Sequence, residues 1–272
     1  MNRLLDQVIL LLFLLLSGLA QAQIRVQDDL GRTVTLPSPA ARIVTLAPHA
    51  TEMLLAIQAE KKIVLAASFF DYPDAMKHIP TISTLGGLDR ERLLMSQPDL
   101  VIAWASGNHP GDMQWLKESG IPLFLSEPKK LETIADTLEK LGKLVGTPER
   151  GKQAAHLFSR KLQAACAQRS DAPRKTAYYE IWPSPPMTIG GRHWLNEVLE
   201  LARLHNVFAK VPRAVFTVSA ESLLSTPYQV LITSQPGTEH PDPSIEIITV
   251  VPAVTRPGPR IVEGVEQLCR QL

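Results

Sequence analysis

The histidines of the sequence raise a first chemical possibility, a metal site. The chain has seven histidines and two cysteines in 272 residues, and a dedicated zinc site needs three or four nitrogen, sulphur or oxygen ligands that converge. His49 follows the first strand pattern, where a ligand could stand, but Trp104 ends a later strand where a second histidine would be wanted. The ligand count argues against a bound zinc or manganese ion. We predict no metal site and no cofactor, although Tyr72 or His49 could serve as the single axial ligand that haem needs.

Catalytic motifs are the second possibility. The sequence has no Gly-x-Ser-x-Gly, no Walker loop and no GxGxxG after its first strand. Neither cysteine stands in a context that would activate a thiolate. Gly190-Gly191-Arg192 precedes a helix pattern and could hold an anion, yet a structural turn explains two glycines equally well. We therefore predict a binding protein rather than an enzyme, and keep an extracytoplasmic enzyme or signalling partner as the less favoured alternative.

Large aromatic side chains gather at and after the ends of predicted strands, although only 6% of the chain is aromatic. In open α/β sheets, ligands bind beyond the carboxyl ends of the strands, and two facing lobes form a cleft there. The set favours a large, partly apolar, ring-containing ligand, since each stacking contact adds about 0.5–1.5 kcal/mol beyond area burial. Any one member could instead pack at the edge of the core. The residues concerned are Phe70, Tyr72, Trp104, Trp182 and Phe216.

One segment of the chain occurs twice. LDRERLLMSQPDLVIAW (88–104) and VSAESLLSTPYQVLITS (218–234) share a helix-starting residue, a glutamate two residues later, paired leucines, a proline and an apolar strand. A glutamate in a first helical turn gains about 0.3–1 kcal/mol from the helix dipole without any partner, so one copy needs no functional explanation. Two copies at matched positions favour two lobes that present equivalent surfaces, marked by Glu91 and Glu221.

The elements that would position these residues alternate between strands and helices. Strands are predicted at 42–47, 61–68, 99–104, 121–126, 175–182, 228–233 and 246–251, and helices at 50–57, 90–96, 111–120, 192–202, 220–225 and 258–270. Apolar strands that alternate with helices indicate parallel sheets covered on both faces. IRVQDDLGRTVTL, before the first of these strands, predicts a β-hairpin with a glycine-containing turn.

Residues 131–170 break this rhythm with two helix patterns and no strand. Gly146 closes the first, and Thr147-Pro148 starts the second in the way that helix starts prefer. We predict an α/β fold with two Rossmann-like lobes joined by a single long interdomain helix, and a ligand cleft between the lobes. The expected division is a signal peptide at 1–22, an N-terminal lobe at 23–146, a linking helix at 147–170 and a C-terminal lobe at 171–272.

The N-terminal residues have the pattern of a signal peptide. Arg3 precedes the apolar run VILLLFLLLSGLA, and Ala20-Gln21-Ala22 supplies the small residues of a cleavage site. The run is too short for a stable membrane span, although an uncleaved anchor is the alternative. We expect the mature chain to begin at Gln23, free in the periplasm of a Gram-negative cell.

Export bears on the two cysteines. Cys166 and Cys269 would stand in an oxidising compartment, where a single disulfide between them could persist; the alternative is two buried small hydrophobic residues. The formal net charge of +1 points to neither nucleic acid nor a membrane surface. We predict a monomer that binds no nucleic acid.

Taken in order, several segments resemble one protein family. They are RIVTLAPHATEML, SFFDYP, LDRERLLMSQPDLVIAW, TIGGRHWLNEVLELARLHNVF, VSAESLL and RPGPRIVEGVEQL. They are similar to the periplasmic cobalamin-binding proteins of ABC importers, whose two lobes are joined by a long helix. The likeness runs from about Ile24 to the end of the chain. It is specific for this class of receptor and less specific for the ligand.

The resemblance implies roles for individual residues. Glu91 and Glu221 stand where a glutamate of each lobe docks onto arginines of an inner-membrane permease dimer. Tyr72, Trp104 and Phe216 match aromatic positions of the corrin pocket. The full set that we predict to bind ligand is Tyr72, Trp104, Phe216, Arg256, Phe70, Trp182, Met187 and His49. The implied function is a substrate-binding protein that captures cobalamin or a related corrinoid, with haem or an iron-siderophore as the alternative ligand.

The sequence departs from the family pattern at three places. Leu85 replaces a pocket tryptophan, and an acidic residue of the last cleft loop falls near Pro252. The family cysteine after EVLE is absent at 202 or 203, so the family disulfide cannot form as such. Cys269 would then pair with Cys166 or remain free.

Overall fold

The computed structural model describes residues 23–68 and 78–272. It starts with an antiparallel hairpin of β1 (Ile24–Gln27) and β2 (Thr33–Leu36), as predicted. The Asp28 carboxylate holds the turn, because its oxygens accept hydrogen bonds from the backbone of Leu30 and from the backbone and side chain of Arg32. The predicted signal peptide, Phe70 and Tyr72 lie outside the described residues.

The first sheet has five parallel strands in the order β5-β4-β3-β6-β7. Its strands are β3 (Ile43–Thr45), β4 (Ile63–Ala67), β5 (Thr81–Ile82), β6 (Leu100–Trp104) and β7 (Leu123–Ser126). The helices between them are α1 (Pro48–Ala56), α2 (Arg90–Met95) and α3 (Pro110–Glu118). Because all these pairings are parallel, the residues that follow the strands meet at one edge of the sheet.

Two helices separate this sheet from the next one. They are α4 (Leu131–Leu144) and α5 (Pro148–Ala164), and a short 3-10 turn follows at Ala167–Arg169. The helix predicted at 147–170 therefore ends earlier than expected, at Ala164. The division of the chain into lobes at 146 and 171 stays a prediction.

The second sheet is mixed. It runs β11-β9-β8-β12-β13, and β10 pairs with the start of β8. Its strands are β8 (Lys175–Pro183), β9 (Pro186–Ile189), β10 (Leu204–Asn206), β11 (Val215–Thr217), β12 (Val230–Thr233) and β13 (Glu246–Thr249), with helices α6 (Leu195–Leu201), α7 (Ala220–Ser225) and α8 (Ile261–Gln271). β9 and β11 are antiparallel to their neighbours. This edge was not predicted, because the prolines and glycines of 183–191 are typical of a loop.

A disulfide joins Cys166, just after α5, to Cys269 in α8, with their Cα atoms 5.4 Å apart. The predicted bond is confirmed, and both residues are buried. It ties the segment between the sheets to the last helix of the chain. The predicted α/β class, with two sheets covered by helices, is also confirmed. Within 23–68 and 78–272, the structure has no helix with the length and apolar character of a membrane span.

Candidate functional site

Trp104 ends β6 at the carboxyl edge of the first sheet. Its indole ring lies across Gly107, where even a Cβ atom would overlap the ring, so glycine is required for this close approach. Its backbone N–H donates to the side chain of Asn108 (2.7 Å), which in turn donates to the Leu46 carbonyl (2.8 Å). The partly exposed ring of Trp104 is therefore held in a fixed position, as an aromatic contact for a ligand requires.

His49 lies in the first turn of α1, beneath Trp104. Its ring meets the Trp104 ring edge-on with centroids 5.4 Å apart, and its Nε2 is 3.0 Å from Ser126 Oγ. The residue is only 1% exposed. In this arrangement His49 supports the tryptophan from below, and its bonded nitrogen is not presented as a haem ligand.

Arg256 lies in the loop between β13 and α8, and its side chain connects this loop to α1. Its Nε donates to Glu52 Oε1 (3.0 Å), and Arg260 Nη1 is 3.9 Å from the same oxygen. Glu52 is 3% exposed, and a side chain at Gly258 would overlap its carboxylate. The structure thus brings three predicted residues, His49, Trp104 and Arg256, together where α1 meets the final loop.

Glu52 is a residue whose role sequence reasoning missed. It stands in the otherwise apolar pattern ATEMLLAI. A carboxylate inside such a pattern is a usable signal, because charged residues are almost never fully buried unless paired. The sequence could have indicated a buried ion pair, although not its partner.

The other predicted ligand-binding residues that the structure describes lie on the second sheet, on two different faces. Trp182 and Met187 are cross-strand partners, while Phe216 pairs with Thr188, the next residue of β9. Cross-strand partners share a face and successive residues alternate, so Phe216 projects opposite to Trp182 and Met187. It packs edge-on against Phe208 with centroids 5.6 Å apart. Trp182 is 53% exposed and is the more available aromatic contact.

The two predicted docking glutamates occupy matched positions. Glu91 lies in the first turn of α2 and Glu221 in the first turn of α7, and both are exposed. The side chains of Asp89 and Ser219 cap the helices, because each accepts a hydrogen bond from the backbone N–H three residues later, at 2.9 and 3.1 Å. The predicted helix starts are confirmed, and the docking role of the two glutamates stays a prediction.

Acidification should destabilise the protein through His49. Burial, and secondly the positive charge of Arg256, lower the pKa of this ring from 6.5 to about 3. At a pH between these two pKa values, the unfolded chain binds the proton of His49 more readily than the folded chain does. The stability is therefore complete above pH 6.5 and falls as the pH decreases. We expect a loss of about 3 kcal/mol at pH 4. The variant His49→Gln should show a flatter dependence in urea unfolding measured from pH 4 to 8.

A second buried histidine and a control variant define what this measurement should show. Burial lowers the pKa of His193 to about 4, so the variant keeps a smaller dependence of the same sign. His156 is exposed on α5, and His156→Gln should retain the wild-type profile. Equal profiles for His49→Gln and wild type would contradict the prediction.

Residues 23–68 and 78–272 contain no group of three or more histidine, cysteine, aspartate or glutamate side chains arranged to hold a metal ion. The arrangement around Trp104 consists of ring surfaces, a buried ion pair and fixed backbone, which offer contact surface to a ligand.

Known proteins with similar sequences and structures place the chain in a family. Residues 43–248 match the family model described as periplasmic binding protein. A vitamin B12-binding protein of Vibrio parahaemolyticus serotype O3:K6 is 30% identical over 244 residues, which cover 85% of this chain and 89% of that protein.

Solved structures of similar proteins lead to the same family. The periplasmic vitamin B12 binding protein BtuF of Vibrio cholerae has a TM-score of 0.78 and 30% identity, covering 86% of this chain and 96% of that one. The apo periplasmic haem-binding protein RhuT from Roseiflexus sp. RS-1 has a TM-score of 0.74 at 21% identity, covering 85% and 97%, which shows a shared fold alone. Since the family model matches most of its length, this chain belongs to the periplasmic binding protein family.

Proposed function

We propose that this protein captures cobalamin or a related corrinoid in the periplasm and delivers it to the permease of an ABC transporter. The observation that carries the proposal is 30% identity, over 85% of the chain, to a protein named vitamin B12-binding protein. The likeness to a solved vitamin B12 binding protein, with a TM-score of 0.78, supports it. The haem-binding relative is only 21% identical, so haem or an iron-siderophore remains the second candidate.

The proposed binding mode is enclosure by aromatic and apolar surface. Trp104 offers a ring held in place by Gly107 and His49, and Trp182 offers an exposed ring from the other sheet. Arg256 adds a positive charge close to His49, with its guanidinium oriented by Glu52. Phe70, Tyr72 and Met187 complete the proposed set. Phe216 projects from the other face of the second sheet, so we leave it out of this enclosure. The family and the relatives compared are binding proteins, and we propose that the ligand leaves chemically unchanged.

The same proposal covers export and delivery. Residues 1–22 would direct the chain to the periplasm and be removed. The disulfide between Cys166 and Cys269 suits that oxidising compartment. Glu91 and Glu221, exposed in the first turns of matched helices, would meet basic residues of the two permease subunits.

Cobalamin titration tests the ligand. We expect calorimetry to give a dissociation constant below the micromolar range for cobalamin, and weaker or no binding of haem and of a ferric hydroxamate siderophore. Replacing Trp104 by alanine should raise the dissociation constant for cobalamin roughly 30-fold, because it removes one stacking contact and its buried apolar surface.

The control is Trp115→Ala. Trp115 lies in α3 and packs under Arg90, 5.1 Å from its guanidinium. That variant should bind cobalamin as the wild type does. Tight haem binding together with no cobalamin binding at micromolar concentration would reject the proposed ligand and favour the second candidate.

A further inference from the structure

Each of the short helices α2 and α7 carries two adjacent leucines in opposite environments. Leu93 is fully buried in the core of the first sheet, and Leu223 packs against the cluster around Tyr178. The following residue, Leu94 or Leu224, is 51% or 88% exposed. Core packing explains the inner leucine of each pair. It does not explain the outer one, where a polar residue would serve the fold equally well.

The outer leucines share a helix face with the glutamates. Leu94 is three residues after Glu91, and Leu224 is three residues after Glu221. Residues three apart are neighbours on a helix surface, and all four of these side chains are exposed. We call Glu91, Leu94 and Met95, which is 75% exposed, the first docking patch, and Glu221 with Leu224 the second docking patch.

We propose that the leucines of both docking patches contact the permease and exclude water from the ion pairs of the glutamates. This inference rests on the proposed delivery function. An ion pair that stays in water contributes little and is screened by salt. Apolar contacts that surround such a pair shield it, as the outer residues of an interface shield its central contacts. Each permease subunit should then present a basic residue bordered by an apolar depression.

Charge and repetition favour this partner over others. The helix of the second docking patch, AESLLS, contains no basic residue, so its partner must supply the positive charge. Two copies of this chain joined through the second docking patch would oppose like charges, and an anionic lipid surface would repel the same carboxylate. A permease dimer supplies two equivalent surfaces, which match one patch on each half of the chain.

The test measures binding of the protein to the cobalamin permease complex of its own host in lipid nanodiscs. Leu94→Gln and Leu224→Gln should each raise the dissociation constant about tenfold, and the double variant about a hundredfold, because each loses the burial of a leucine. Their binding should also weaken more steeply between 0.15 and 0.5 M salt. Cobalamin affinity and the melting temperature should stay at wild-type values. Leu157→Gln is the control, since Leu157 is 45% exposed on α5.

The reference variants are Glu91→Arg and Glu221→Arg. If they abolish docking while the leucine variants stay within about twofold of wild type, this inference is wrong and the delivery function stands. If the wild type does not bind the permease complex at micromolar concentration, both fail. Equal binding to nanodiscs that contain lipid alone, or leucine-dependent dimerisation in sedimentation, would assign the patches to another partner and overturn the inference.

Discussion

Replacing Glu52 by glutamine is expected to lower the free energy of unfolding by about 3–5 kcal/mol. The carboxylate is 3% exposed and lies 3.0 Å from Arg256 and 3.9 Å from Arg260. The substitution keeps the volume and removes the negative charge, so Arg256 loses the carboxylate that offsets its desolvation, whereas Arg260 keeps its bonds to Glu263. Breaking one member of a buried pair is costly for this reason, even when the intact pair contributes little. Chemical denaturation followed by circular dichroism measures the effect.

The matched control is an exposed pair of the same chemistry. Glu200 lies 2.8 Å from Arg174, and both side chains are about half exposed. Glu200→Gln should change the free energy of unfolding by less than about 1 kcal/mol. A double variant, Glu52→Leu with Arg256→Leu, should recover part of the loss, because it removes both charges together. A loss under 1 kcal/mol for Glu52→Gln would show that water reaches the pair and screens it.

Removing the disulfide is the second change with a large expected effect. Cys166 and Cys269 are 103 residues apart, and a cross-link over about 100 residues stabilises by about 4–5 kcal/mol through the entropy of the unfolded chain. Cys166→Ala with Cys269→Ala should lose this amount in guanidinium unfolding. Alanine is preferred to serine because both sites are buried and a hydroxyl there would need a partner.

Dithiothreitol provides the control for that variant. It should destabilise the wild type by a comparable amount and leave the double alanine variant unchanged. If the oxidised wild type and the variant unfolded at the same guanidinium concentration, the bond would contribute nothing. Near-native cobalamin affinity of the variant below its unfolding transition would place the effect in stability rather than in the site.

Local features explain why the elements could be read from the sequence. The strand Leu100–Trp104 is a continuous apolar run, and α5 starts with proline at its first position, which is a preference of single helices. Asp89 and Ser219 cap their helices through bonds that span three residues. The family likeness rests on the same short segments. Each of these signals acts over a few residues, so a sequence displays them directly.

The faces of the second sheet could not be predicted, because they depend on register. A bulge between Glu180 and Trp182 in β8 pairs Trp182 with Met187 of β9. The separate pairing of β11 with β9 places Phe216 opposite Thr188. One extra residue in a strand reverses the direction of every side chain after it. The sequence therefore predicts Phe216 and Trp182 on one surface, whereas the register places them on opposite faces of the sheet.

By itself, the sequence determined the α/β class, most of the helices and the longer apolar strands, the repeated glutamate segments and the family. Tertiary structure alone decided that Glu52 meets Arg256, 204 residues away, and that His49 is buried beneath Trp104. It also decided that the second leucine of each pair faces outward. The physical reason is range: helix caps and apolar runs act between neighbours, whereas burial and ion pairing depend on which distant segments the folded chain brings into contact.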